Sequence, residues 1–410
     1  MAEQRITETI EFLTQIHTSW DNTEQRMALR SYPRRSISYR YTGVDTAMSE
    51  YLRSLTNGLQ TQQLEFPLWS ATRTLPKTRR KKETGIQLTA QDVWDYRDCH
   101  AVLLTKEFQG ARGNSTRYFL KQLYSSGYLQ MKTTFKDDYY EGATLVTPVF
   151  LGILNQEDSY TNVTASLADM CINVEFMPSL TAVNLPAECD EYNYPFLTFE
   201  ESTNALNNYK YIDDCELFMM PPSWYQDMNM SYSRNANKLD NQTGYFRYDL
   251  KSKATTTHMV FDYHAKSKDE IQFLQRFFYR CKGQWKSFYV PTWTSDIELV
   301  KDGITTKQEL IAKFPYYYRY YNGNQRRKTI IIFFNNGTVK ILKIVGWELD
   351  SSGKHSKITL ESPLTEPIYM KDVRMISFLL KVRHASGSMV TEYETRESAN
   401  ISFELMEVDN

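Results

Sequence analysis

The sequence is poor in the residues from which active sites are usually built. Only six of 410 residues are histidine (His17, His100, His258, His264, His355 and His384), and none stands in a helical His-x3-His spacing. With no Cys-x2-Cys pair either, the common zinc centres are excluded, and no metal or cofactor is expected. Five cysteines (Cys99, Cys171, Cys189, Cys215, Cys281) are scattered and odd in number, which fits free thiols in a reducing cytoplasm better than a disulfide frame. Glycine does not cluster: there is no phosphate-cradling loop and no Gly-x-Ser-x-Gly elbow, and Arg112-Gly113-Asn114-Ser115 has too few glycines to hold a phosphate. Cys99 and His100 are adjacent and so point apart. The pairs Asp137-Asp138 and Asp213-Asp214 sit in polar, turn-like sequence, where solvated acids are the rule. A net charge of −1 gives no general pull toward nucleic acid or anionic membrane. No apolar run approaches the ~18–20 residues of a spanning helix, and Met1 to Ile16 lacks the apolar centre of a signal peptide. An enzyme is not expected.

What is present is a repeat. Ser36–Trp69 and His258–Trp293 read as two copies of one unit. Ile37, Tyr39 and Tyr41 align with Met259, Phe261 and Tyr263. Asp45 aligns with Ser267, Tyr51 and Leu52 with Phe273 and Leu274, and Leu55 with Phe277. After a two-residue slip, Pro67 and Trp69 fall on Pro291 and Trp293. Each copy opens with apolar–polar alternation, the period of a half-buried strand. A helix follows, with Asp45 or Ser267 as N-cap and, in the second copy, Glu270 completing a capping box. Met48, Tyr51, Leu52 and Leu55 form one apolar stripe; Ile271, Leu274, Phe277 and Phe278 form the other. Gly58 and Gly283 stand where each helix should stop in a left-handed turn. A short strand then ends in Pro-x-Trp.

The repeat predicts further matches: Gly142-Ala143-Thr144-Leu145 with Gly152 against Asn336-Gly337-Thr338-Val339 with Gly346, and Ser19-Trp20 against Ser223-Trp224. It divides the chain into a first domain, 1–195, and a second, 196–410, each of ordinary domain size. Between the helices, stretches rich in Val, Ile, Thr, Tyr and Phe alternate with turn signals, and Ile330–Lys343 around Asn335-Asn336-Gly337 reads as a hairpin. The class expected is α+β, β-rich, with few helices. Thr72–Glu83 is basic and predicts an exposed loop, either a solvated connector or a contact with a partner ring or polyanion. Asn184–Pro195 reads as a linker. The 29 Tyr, 21 Phe and 7 Trp suit strand cores or subunit interfaces. Only Arg326-Arg327-Lys328 lies near an aromatic cluster, so specific nucleic-acid binding by base stacking is not expected.

Several of these segments carry a family resemblance. Thr23-Glu24-Gln25-Arg26-Met27-Ala28-Leu29-Arg30, followed by Pro33-Arg34-Arg35, is similar to the opening of a tail protein of long-tailed bacteriophages. The helix-Gly-Pro-Leu-Trp segment after it, Gly283–Trp293 and Ile376–Arg383 with the terminal strand resemble that family too. The likeness is scattered over nearly the whole chain; 180–240 is unmatched. It implies a distal-tail or baseplate-hub protein: a non-enzymatic virion component, assembled in the host cytoplasm, at the tip of the tail tube. It also implies two tandem tail-tube-like domains, each a β-sandwich or small barrel flanked by a helix. The partners implied are further copies of the chain in a ring, a trimer more readily than a hexamer, and other tail proteins of tube, tip or fibre, with no membrane. The alternative reading is a β-rich receptor- or carbohydrate-binding protein.

Overall fold

The computed structural model describes residues 3–177, 198–199 and 211–409, apart from 20–22, 60–61, 90, 109–110, 156–157, 165, 226, 251–254, 304–306, 323 and 325. It is β-rich α+β, with strands far outnumbering helices. The first half contains β1 (Glu3–Glu11), β2 (Thr14–Thr18), β3 (Glu24–Ala28), β4 (Arg34–Asp45), α1 (Thr46–Gly58), β5 (Leu64–Pro67) and β6 (Gly85–Gln87). It continues through α2 (Val93–Tyr96), β7 (Ala101–Phe108), β8 (Ala111–Leu123), β9 (Tyr128–Met131), β10 (Thr144–Leu154), β11 (Ser159–Asn162) and β12 (Leu167–Phe176). The second half contains β13 (Asn229–Ser233), β14 (Ala236–Asp240), β15 (Phe246–Leu250), β16 (Thr256–Ala265), α3 (Lys268–Cys281), β17 (Phe288–Pro291) and β18 (Glu309–Ala312). It ends with α4 (Tyr316–Tyr321), β19 (Thr329–Phe334), β20 (Thr338–Leu349), β21 (Ser356–Leu360), β22 (Val373–His384), β23 (Ser388–Tyr393) and β24 (Ala399–Glu407).

The pairing of the first half recurs twelve strands later. Strand β4 pairs with β1 and β12, and β12 with β11 and β10. Likewise β16 pairs with β13 and β24, and β24 with β23 and β22. Strand β10 receives β5 and β7 as β22 receives β17 and β19. The ladder then runs β7–β8–β9–β6 in one half and β19–β20–β21–β18 in the other. All of these pairs are antiparallel. Each half also carries a two-stranded hairpin between its first strand and the strand that precedes the long helix: β2–β3 and β14–β15.

The halves join edge to edge. Strand β1 pairs with β23 over Ile6–Glu11 and Ser388–Tyr393, so one antiparallel sheet runs β13–β16–β24–β23–β1–β4–β12–β11. One face is apolar and covered: Ile37, Tyr39, Met170, Ile172, Met259, Phe261, Ile401 and Phe403 are buried. The other face carries polar side chains such as Ser36, Ser38, Asp262, Asn400, Ser402 and Glu404, the period-2 alternation of a sheet wetted on one side.

The two long helices start as the sequence predicts. Asp45 accepts the Met48 amide at 2.9 Å, and Ser267 accepts the Glu270 amide at 3.3 Å. Their burial differs sharply. On α3, Ile271, Leu274, Phe277 and Phe278 are buried, and Phe277 stacks among Phe218, Phe288 and Phe403. On α1 only Ser49 and Leu52 are buried, Leu55 is half-buried, and Met48 and Tyr51 are 47% and 60% exposed. The apolar stripe expected to pack α1 is therefore half bare.

Other expectations need correction. Gly58 is the last helical residue, and the chain leaves α1 through Leu59 at φ −121°, without a left-handed turn. In α3 the turn is taken by Lys282 at φ 50° and then Gly283 at φ 61°. A Cβ on Gly283 would meet Phe12 Cβ and the Gly387 carbonyl oxygen at 3.2 Å, so close packing of three segments also demands glycine. Residues 142–152 do not correspond to 336–346: the former reach into β10, whose counterpart is β22, while the latter form the turn into β20, whose counterpart is β8. Trp20 lies outside the described residues, as do Cys189, the proposed linker 184–195 and the division at 195/196. The basic stretch 72–83 is not a free loop at its start. Thr72 and Leu75 are buried, and Arg79 is bridged to Tyr139 by paired backbone hydrogen bonds of 2.8 Å; Arg80, Lys81 and Lys82 are exposed. Part of the unmatched 180–240 region belongs to the second half itself: Cys215–Leu217 adds in parallel to β17, and Phe218 lies in the core.

Candidate functional site: the junction between the halves

Several residues of types common in catalysis have structural partners. Cys99 is buried, and desolvation pushes its thiol up to about 12, far from a reactive thiolate. His100 faces Glu65 at 3.8 Å. Asp138 accepts the Lys81 amide at 2.7 Å, and Asp137 faces Lys106 at 3.6 Å. Asp213 and Asp214 form a left-handed turn at φ 47° and 62°, with Lys343 reaching Asp213 at 2.6 Å. Arg326 is held by Asp409 at 2.6 Å and by the Thr255 carbonyl at 2.7 Å, and Arg327 by Glu407, so this basic pair serves the interior. Among the described residues no group of three or more His, Cys, Asp or Glu side chains could hold a metal ion. No helix among them is long and apolar enough to cross a membrane.

Chemistry concentrates where the halves meet. Inward positions of β1 run Ile6, Glu8, Ile10, and Glu8 is 1% exposed. Its carboxylate accepts Arg35 Nε at 2.5 Å, the Tyr393 hydroxyl at 2.8 Å and Gln275 Nε2 at 3.2 Å. Burial alone would raise its pKa; the charges of Arg35 and Arg97, with the hydrogen bonds from Tyr393 and Arg35, outweigh this and hold Glu8 below the ordinary carboxylate value. Gln275 on α3 also accepts Trp94 Nε1 of α2 at 2.9 Å. Lys268, at the start of α3, reaches Asp95 of α2 at 3.2 Å and the Ser70 carbonyl at 3.1 Å. Thus the second half packs the Phe277 face of α3, and the first half covers the face that carries Lys268 and Gln275. Sequence reasoning missed Glu8; the available signal was a lone acid on the apolar face of an alternating strand, which requires a buried partner.

The β2–β3 hairpin adds a second clasp. Glu24 makes a bidentate pair with Arg383 of β22 at 2.8 Å, and Arg26 donates to Ser287, just before β17, at 2.7 Å. Among the described residues its counterpart β14–β15 makes no such clasp: Leu239, Tyr245, Phe246, Tyr248 and Leu250 are all more than half exposed. The residues singled out by the repeat fall at matching places. Tyr41 and Tyr263 lie in β4 and β16, and Asp45 and Ser267 cap the helices. Leu52 and Leu274 are buried, whereas Leu55 is half-buried where Phe277 is fully covered. Pro67 and Pro291 end β5 and β17, and Trp69 and Trp293 follow them. They form no common site. No family model matches the chain, and no curated protein does.

Proposed function

We propose that the chain is a structural, non-enzymatic ring component, at the distal end of a bacteriophage tail tube as the resemblance implies, joining the tube to tip or fibre proteins. The observation that carries the ring is the β1–β23 junction: two like units held head to tail, each presenting one edge to the next. Such a contact is heterologous, and repetition of it closes a ring if the rotation per unit divides a full turn. A chain of two units reaches six positions with three copies, so a trimer is the preferred form, and a hexamer in two layers is the competitor. This suits a joint between a six-fold tube and three-fold fibres. Synthesis in the host cytoplasm and residence in the virion follow from the same reading. Native mass spectrometry with symmetry-free class averages tests it: three chains around a central hole support the trimer, and a monomer at assembly concentrations refutes the ring. A second reading, glycan binding, is favoured by exposed Tyr225 beside Asp262, Asn400, Ser402 and Glu404 in a concavity of about 420 Å³. A glycan array decides it, since sugar binding by a ring-less monomer would replace the first reading.

A further inference from the structure

We infer that the chain binds a second copy of itself through β13 of one copy and β11 of the next, in the register of its own β1–β23 junction, with the β14–β15 hairpin clasping the neighbour. The inference rests on the ring reading and specifies its interface. Among the described residues β13 pairs only with β16, and β11 only with β12, so both outer edges of the eight-stranded sheet are open. Their counterparts, β1 and β23, are the two strands that join the halves. An exposed edge is a template for another strand, and proteins cover such edges when they serve no partner.

The register can be read across. Glu8 pairs with Ile37 as Met230 pairs with Met259, so Met230 holds the place of Glu8. Tyr160 pairs with Met170 beside Tyr41 as Thr391 pairs with Ile401 beside Tyr263, so Tyr160 holds the place of Thr391. Glu8 faces Thr391 across the junction. Met230 of one copy therefore faces Tyr160 of the next. The same mapping explains why α1 is bare. Arg53 of α1 holds the place of Gln275 on α3, lying over the Tyr160 ring at 4.9 Å, and the cover that α2 gives to α3 would come to α1 from the tyrosine-rich α4 of the neighbour. Exposed Tyr316 and Tyr320 on α4 are the side chains available for it. Three copies of an eight-stranded sheet close a barrel of twenty-four strands. At ~4.8 Å per strand its circumference is roughly 115 Å, about 37 Å across before strand tilt widens it.

The test is the double variant Met230→Cys with Tyr160→Cys, each single variant serving as control for the native thiols. Opposed residues in an antiparallel pair bring Cβ atoms to about 4.5–5.5 Å, near disulfide reach. Oxidation should give a covalent ladder ending at three chains for the double variant and none for the singles. A ring of native mass without the ladder overturns the pairing and leaves the ring reading standing; absence of any ring overturns both. Should the cysteines prevent folding, Phe246→Ser with Tyr248→Ser alters only exposed hairpin positions. It should weaken self-association at least tenfold, and unchanged assembly refutes the clasp.

Discussion

Replacing Glu8 by Gln tests whether the junction is held by its buried charge. The variant keeps the shape of the side chain and one acceptor oxygen but leaves Arg35, with its side chain 13% exposed, facing no anion at 2.5 Å. Breaking a buried pair from one side costs about 3–5 kcal/mol, because the surviving charge stays desolvated. Arg35 also lies over the Phe150 ring at 4.7 Å, so Arg35→Met keeps much of the packing while removing the stranded charge. Urea unfolding should show Glu8→Gln destabilised by about 3–5 kcal/mol and the Glu8→Gln/Arg35→Met double variant by clearly less than the sum of the singles. The acid limb adds a signed check. Glu8 is depressed in the native state, so its contribution is complete above the unfolded value of 4.5 and is lost as pH falls through the lower native value. A Glu8→Gln loss under about 1 kcal/mol, or strict additivity with Arg35→Met, would falsify the view of Glu8 as the junction's central anion, on the coupling expected of neighbours.

Other outcomes are equally concrete. Leu274→Ala should cost about 2–5 kcal/mol in urea unfolding, while Met48→Ala on the bare face of α1 should stay within about 0.5 kcal/mol for the isolated chain. His384 is walled by Phe277, Phe278, Phe288 and Phe403; burial, then the Arg383 charge, lowers its pKa to about 3. The unfolded ring takes a proton near 6.5 and the native ring refuses it until about 3, so stability is complete above 6.5 and falls with pH across that window. The slope is at most about 1.4 kcal/mol per pH unit; His384→Leu should flatten it, and an unchanged slope counts against the assignment. Cys99 and Cys281, both buried with raised thiol pKa values, should resist iodoacetamide in the native protein at pH 8 and react on unfolding, as peptide mass spectrometry would read.

The legible features were local ones. The alternation of Ile37, Tyr39 and Tyr41, the Ser267 cap and the Asn335-Asn336-Gly337 turn are each decided within a few residues by backbone sterics and periodicity, and the strand ladders place them as read. The half-bare α1 was not legible, because its stripe has helical spacing whether or not a neighbour covers it. The mistaken match of 142–152 with 336–346 shows the limit of short Gly-Thr patterns: many strands open on a turn glycine and a β-branched residue, and only the pairing partner tells β10 from β20. The clasp of Glu24 on Arg383 spans 359 residues, and no local rule reaches that far. Within Thr23–Arg30, a stretch that carries the family resemblance, Glu24 and Arg26 bind the other half.

The observed junction of the repeat and the equivalent contact inferred between copies differ in chemistry in the direction that their timing requires. The β1–β23 junction forms within one chain as it folds and loses no translational freedom, so a buried Glu8–Arg35–Gln275 network can be held permanently. An edge that waits for another copy must be driven by what it removes from water, against several kcal/mol of lost translational and rotational freedom. There the anion's place is taken by Met230, and the hairpin carries Phe246 and Tyr248 where its counterpart carries Glu24 and Arg26. Large side chains of this kind yield roughly 1.5–3 kcal/mol each when fully buried, so a few of them suffice for a stable contact. The same exposed side chains make the free subunit prone to wrong pairing, which the polar outward positions of β13, Asn229, Ser231 and Ser233, counter by giving the open edge no apolar run. A chain with Ser231→Val should therefore assemble normally yet precipitate more readily as a monomer; equal solubility at equal concentration would show that edge polarity has no such role.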